Sequence, residues 1–323
     1  MSYEDQYIRL WNYEDNKCEL EQNFALGLGD QKPLVSCALH PSGYYMAVAL
    51  ADQIRLYHIL HPDLKEFNSY DHKNTKRIRF SSGGQYFVAI DGKNMRVFST
   101  YSLEQVKVLQ IPPSPISTIS FNFNDSRLVF ISEDGQIQSF DLEEWKKVGE
   151  NRNDRAFSYK NAVFVQHESN ASAIGYDNQD TAPSNLLIAV GTQKDVCASL
   201  RIFKDDEMKQ DMLIRDENTD EALSFTDIIK VVSADNLVEN LVIGSNRGSL
   251  SVYGMPPRFL REDPKYKHSE TVAHLSEISA LQASCCGRYV FSAGKDGIIF
   301  VYDVVEHVPA QTRRGQTTGG NTS

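Results

Sequence analysis

Cysteine is scarce in this chain. Its five copies (Cys18, Cys37, Cys197, Cys285 and Cys286) are odd in number, scattered and without metal-ligand spacing. That excludes a disulfide or zinc framework and points to a reducing compartment. In such a compartment the sequons at Asn124, Asn170 and Asn321 carry no sugar. Long hydrophobic runs are missing too: the longest, residues 44–50 and 185–190, fall far short of a bilayer's thickness. The opening Met1-Ser2-Tyr3-Glu4-Asp5 has neither the basic patch nor the apolar stretch of a signal peptide. A membrane partner is therefore not expected. Positive charge is in deficit, 33 Lys and Arg against 43 Asp and Glu, and a net charge of −10 argues against nucleic acid. Residues 205–221 alone contribute −6, with eight acids against Lys209 and Arg215, and are expected to be a solvated loop. Nucleophile and phosphate motifs are lacking: there is no G-x-S-x-G, no P-loop and no G-x-G-x-x-G, and Gly27-Leu28-Gly29 lacks a phosphate-binding context.

What is present is repetition. An apolar residue, a polar one, an apolar one and an aromatic recur seven times, with Ser139 at the third position of one copy and Phe300 at the second of another, ending at Trp11, Tyr57, Phe98, Phe140, Phe203, Tyr253 and Tyr302. The residues three before the aromatic are Ile8, Ile54, Met95, Ile137, Leu200, Leu250 and Ile299. The steps are 46, 41, 42, 63, 50 and 49 residues. Strand-like alternation at this period predicts radially repeated sheets. Each unit reads as a first apolar strand, a turn such as His40-Pro41-Ser42-Gly43, and a second, almost wholly apolar strand. A tight turn and the signature strand follow, and then usually a fourth, polar strand. Gly43, Gly84 and Ser126 each precede their aromatic by 14 residues, so they read as one turn position. Asp91-Gly92, Asp134-Gly135 and Asp296-Gly297 are hairpin chemistry, glycine supplying the positive φ of a two-residue turn.

The predicted fold is all-β, a propeller of about six to seven four-stranded blades, incomplete at its ends, over residues 1–306. A partial blade at 1–28 precedes blades at about 32–71, 72–111, 114–151, 155–215, 226–261 and 270–306, with a polar tail at 307–323. Residues 166–184 and 205–226 are expected as peripheral loops without a tightly held ion. The signature strand 8–11 lacks two inner strands before it. It is expected either to close the ring against the blade holding residues 290–292 or to complete a blade with another chain.

Individual residues argue against chemistry. His58 and His61 are close but lack a third ligand. His40 fits a turn-stabilising role. Asp216, Asn218 and Asp220 match calcium-loop positions, with Asp227 as the final carboxylate, but the sixth position, which needs glycine, is Glu221. Cys285-Cys286-Gly287 reads as a turn. Arg9, Arg55, Arg96 and Arg201 recur two before the aromatic and are expected as scaffolding on the opposite strand face with shared carboxylate partners. No catalytic, cofactor or metal residue is assigned, no cofactor is expected, and partner-binding residues stay unassigned.

The units resemble the WD-repeat family through Ile8-Arg9-Leu10-Trp11-Asn12, Ser139-Phe140-Asp141, Val301-Tyr302-Asp303 and the turns above. The copies are degenerate, with Ala273-His274 the nearest relic of an opening glycine-histidine. Residues 34–60 and 77–104, and the closing residues 274–304, resemble the cilia- and flagella-associated protein 57 family. The resemblance implies a non-catalytic scaffold of the ciliary axoneme, in the cytoplasm and cytoskeleton, on doublet microtubules near the bases of inner dynein arms. Its partners would be other axonemal proteins. The alternative is a general cytoplasmic adaptor in a ubiquitin-ligase or trafficking complex.

Overall fold

The computed structural model describes residues 6–24, 34–112, 114–122, 124–152, 157–167, 184–193, 197–204, 207–214, 223–232, 239–254, 267–284 and 286–305. Within them lie 25 strands in seven antiparallel sheets that follow chain order. A hairpin comes first, β1 (Tyr7–Asn12) and β2 (Lys17–Asn23). The second sheet holds β3 (Leu34–Leu39), β4 (Tyr45–Leu50), β5 (Gln53–Leu60) and β6 (Asp63–Asp71). The third holds β7 (Arg77–Phe80), β8 (Tyr86–Ile90), β9 (Asn94–Ser99) and β10 (Gln105–Gln110). The fourth holds β11 (Ile116–Phe121), β12 (Arg127–Ser132), β13 (Gln136–Asp141) and β14 (Lys146–Arg152). The fifth holds β15 (Phe157–His167), β16 (Ser184–Gln193), β17 (Cys197–Lys204) and β18 (Glu207–Ile214). The sixth holds β19 (Phe225–Val232), β20 (Glu239–Ser245), β21 (Ser249–Gly254) and β22 (Lys267–Val272). The last has three strands, β23 (Ile278–Ala283), β24 (Tyr289–Gly294) and β25 (Ile299–Asp303). The arrangement is a β-propeller: among the described residues, five four-stranded blades are flanked by a two-stranded and a three-stranded one.

In the five four-stranded blades the second strands carry apolar runs because each is buried on both faces. Alternate residues of one strand feed different inter-blade cores. Phe87 and Ala89 of β8 pack towards the second blade, while Val88 and Ile90 pack towards the fourth. In the signature strands, Ile54 and Leu56 face the third blade while Tyr57 faces the first hairpin. The one-residue alternation that made the repeat visible in sequence is thus the alternation between neighbouring blades. Each of the six outer strands also carries a one-residue bulge beside the signature aromatic, as at Leu56/Tyr57 and Ile202/Phe203.

All seven signature segments are strands, as expected. Four details differ. Asp125, not Ser126, occupies the turn position of Gly43 and Gly84: its amide bonds to Asn122 as theirs bond to His40 and Ser81, and its φ is +54°. Counted between paired residues, the hairpin joining β12 and β13 is one residue longer than those of the second and third blades, which disguises the offset. The acidic stretch 205–221 is not wholly a loop, because residues 207–214 form β18; an outer strand faces water and tolerates charge. The sixth blade extends past residue 261, since β22 pairs with β21, so the last blade begins at β23 and not at 270. Of the insertion 166–184, the ends belong to β15 and β16, and 168–183 lie outside the described residues.

Candidate functional site

The first strands surround the propeller axis, and a side-chain relay runs from blade to blade along them. Five of these six strands carry an early bulge, and the next residue takes one equivalent pairing position in each sheet. Those residues are Ser36, Thr118, Asn161, Asp227 and Ala280; Arg77 takes the same position in the third blade, as the first paired residue of β7. Ser36 Oγ accepts the Ile78 amide at 3.3 Å, and Arg77 donates to the Ser117 carbonyl. Thr118 donates to Asn161 Oδ1 at 2.6 Å, and Asn161 donates to Asp227 Oδ1. Asp227 Oδ2 accepts the Leu281 amide at 2.6 Å, and Oδ1 accepts its neighbour Ile228 at 2.8 Å. Burial raises the Asp227 pKa, against the pull of these bonds. Each side chain bonds the next blade until Ala280, which has nothing to pass on.

Turns add latches on both faces of the disc. His40 Nε2 donates to the Gly84 carbonyl at 2.9 Å, while Nδ1 accepts the Ser42 amide at 3.1 Å, so the ring joins the second blade to the third. A Cβ on Gly84 would sit 2.2 Å from His40 Nε2, so only glycine fits. At the next junction Asp125 Oδ2 accepts Ser81 Oγ at 2.6 Å and the Gly83 amide at 2.9 Å. On the other face, His72 bonds Thr75 at 2.7 Å and lies 3.7 Å from Asp91. Burial lowers the His72 pKa and Arg96 adds to this, with Asp91 opposing. Burial acts to raise the Asp91 pKa, but the Asn94 and Lys93 amides outweigh it and hold the carboxyl below its usual value. His274 repeats the arrangement with Asp296 at 3.1 Å and Ser292 at 2.7 Å.

The recurring arginines meet acidic partners, as expected. Arg9 pairs with Glu21 at 3.1 Å, Arg55 with Glu66 at 3.2 Å and Arg201 with Asp211 at 2.8 Å, each acid standing on the outer strand. Arg96 instead bonds Gln105 and approaches Asp91 at 3.6 Å. The face assignment is corrected, however. Residues two apart on a strand share a face, and Arg55 accordingly bonds the Tyr57 side chain. In the fifth blade Arg201 also stacks on Phe157 at 3.8 Å and bonds Tyr159 at 3.2 Å.

One side of the ring differs. Among the described residues no strand pairs with the outer edge of β25 or with the free edge of β1. On the face of the last blade turned towards the hairpin, Ile299 and Val301 are 69% and 44% exposed, and Trp11 of β1 is 61% exposed. The hairpin packs Ile8 and Phe24 into the second blade and touches the last blade through Tyr13, whose ring lies 5.0 Å from Tyr289 and 5.3 Å from Phe291. The expected approach to residues 290–292 is thus made by the hairpin turn.

Other sequence candidates do not assemble. His61 pairs with Glu19 at 2.7 Å, while His58 stacks on Phe67 at 4.2 Å. Asp227 spends its oxygens in the relay, and residues 215–222 of the calcium-like stretch lie outside the described residues, as does Cys285. Among the described residues no group of three potential metal ligands converges. Sequence reasoning missed His72, although Asp71-His72 stands where a repeat opens. It also missed the relay, whose members share a position and not a residue type.

Comparison with known proteins bears on this architecture. Residues 266–303 match the WD domain, G-beta repeat family. The match starts at the outer strand of one blade and ends at the third strand of the next, so sequence repeat and blade are offset by one strand. Cilia- and flagella-associated protein 57 of Mus musculus is 24% identical over 316 residues, 98% of this chain and 22% of that protein. Cilia- and flagella-associated protein 57 A of Tetrahymena thermophila is 24% identical over 322 residues, 93% of this chain and 23% of that protein. Protein 57 C of the same organism is 22% identical over 319 residues. The resemblance seen in three segments extends over nearly the whole chain, which spans under a quarter of the length of these relatives.

Proposed function

We propose that this propeller is a non-catalytic structural platform of the ciliary axoneme. The carrying observation is the near-complete alignment with relatives named for cilia and flagella. The bonding pattern agrees: Ser36, Thr118, Asn161, Asp227, His40 and Asp125 all bond a neighbouring blade, which favours a rigid disc. In this reading the protein sits on doublet microtubules near the bases of inner dynein arms and holds other axonemal proteins. The open side between β25 and β1 is one such contact, where added strands cover Ile299, Val301 and Trp11. Those strands come from a neighbouring chain or from further residues of a longer polypeptide.

Localisation of a tagged copy tests the reading. Axonemal signal that resists detergent is expected, with cross-links from the open side to other axonemal proteins. Diffuse or vesicular signal would overturn it in favour of a cytoplasmic adaptor.

A further inference from the structure

The channel mouth on the side of the Asp91-Gly92 turn carries a charge pattern opposite to that of the whole molecule. Lys76, Arg77 and Arg79 line one cavity of about 310 Å³, together with Ser36, Ile78, Thr118 and Ile119. The formal net charge of the chain is −10, yet these three cations converge without a carboxylate in ion-pair range among the described residues. Arg77 and Arg79 are two apart on β7 and so share the channel face. Arg77 gives one guanidinium N–H to the Ser117 carbonyl. The side chains of Lys76 and Arg79 make no hydrogen bond among the described residues; the Lys76 amide bonds the Ile90 carbonyl at 2.7 Å.

Asp227 is the acid whose field is felt at Arg79. Its two oxygens already serve Asn161, Ile228 and Leu281, so it cannot turn to meet the guanidinium. Arg79 is open to the channel yet surrounded by protein, and burial pulls its pKa down while the repulsion of Arg77 adds to that. Uncompensated cations crowded into a concave wall hold unused binding energy for an anion.

We infer that this mouth binds an acidic peptide segment of a partner protein, one carboxylate side chain entering between Arg79 and Lys76. Guanidinium forks match a carboxylate in two-point geometry. The cavity sits at the small end of ligand pockets, and no aromatic lines it. It therefore suits a side chain presented on an extended backbone better than a nucleotide needing a stacked base. The protein's overall negative charge repels acidic chains elsewhere, which confines them to this mouth.

The inference does not depend on the axonemal reading and is tested on purified protein. A fluorescent glutamate-rich peptide is titrated by anisotropy into the full chain, into Lys76→Gln/Arg79→Gln and into Lys65→Gln/Lys107→Gln, which removes two exposed outer-strand cations. The substitutions remove only side-chain charges and leave the backbone bonds of both residues in place, and melting curves check that all three proteins are folded. Salt-sensitive binding that falls by about tenfold or more in the channel variant, and is unchanged in the outer-strand variant, is expected. A glutamine peptide of equal length should not bind. Equal affinity for all three proteins would overturn the inference. So would binding of a phosphoserine peptide or inorganic phosphate where the glutamate peptide fails, since the ligand would then be phosphate.

Discussion

The fifth blade and the first hairpin carry the same signature in different surroundings. Arg201 is 5% exposed, stacked on Phe157, bonded to Tyr159 and paired with Asp211. Arg9 pairs with Glu21 in the same register, but both are open to water and Trp11 beside it is 61% exposed. What separates them is the pair of inner strands, β15 and β16, that the hairpin lacks among the described residues. An aromatic-arginine signature builds a core only when a neighbouring sheet closes over it. The same contrast runs round the ring: five consecutive junctions carry the relay, and the sequence of bonds stops at Ala280, where the open side begins.

Substitutions on the two sides should separate sharply. Phe130 is fully buried against Phe140 in the closed arc, and Phe130→Ala should cost about 4 kcal/mol in chemical denaturation. Ile299→Ser on the open side should change stability by under about 0.5 kcal/mol while raising solubility. Equal losses at the two sites would erase the distinction.

The relay gives the next effect. Asp227→Ala strands the Asn161 amide and the Ile228 and Leu281 N–H groups, and should cost about 3 kcal/mol. A loss below about 1 kcal/mol would show that the inner ring holds by packing alone. Arg201→Gln should then cost about 2 kcal/mol and Arg9→Gln under about 1 kcal/mol. Parity between them would mean that the hairpin is as well covered as a complete blade.

The smallest effect is one of pH. The imidazole of His72 is held below its usual value in the fold, whereas in the unfolded chain it takes up a proton near about pH 6.5. Below that value and above the folded pKa the unfolded state binds the extra proton, so stability falls as pH falls through this window. Thermal melts of His72→Gln should lose part of that slope; an unchanged slope would assign it to other groups.

The blade order, the signature strands and the flanking partial blades were legible because alternation between two inter-blade cores leaves a period in the residue types. The relay was not, because Ser36, Arg77, Thr118, Asn161 and Asp227 share a bonding job without sharing a chemistry. The turn at Asp125 was misplaced because spacing counted residues while the extra residue lay in the following hairpin. β18 was hidden because an outer strand facing water looks like an acidic loop. The cations of the mouth, by contrast, stand close together at Lys76, Arg77 and Arg79. Only the fold shows that they share one cavity and that Asp227 is already spent.

Amide hydrogen exchange on the purified chain tests the difference between the closed and open sides most directly. Strands β8, β12 and β16 should exchange only by global unfolding, while β25 and β1 exchange by local opening at much lower protection. Strong protection of β25 and β1, matching that of β12, would contradict the account, because it would mean that their edges are already covered.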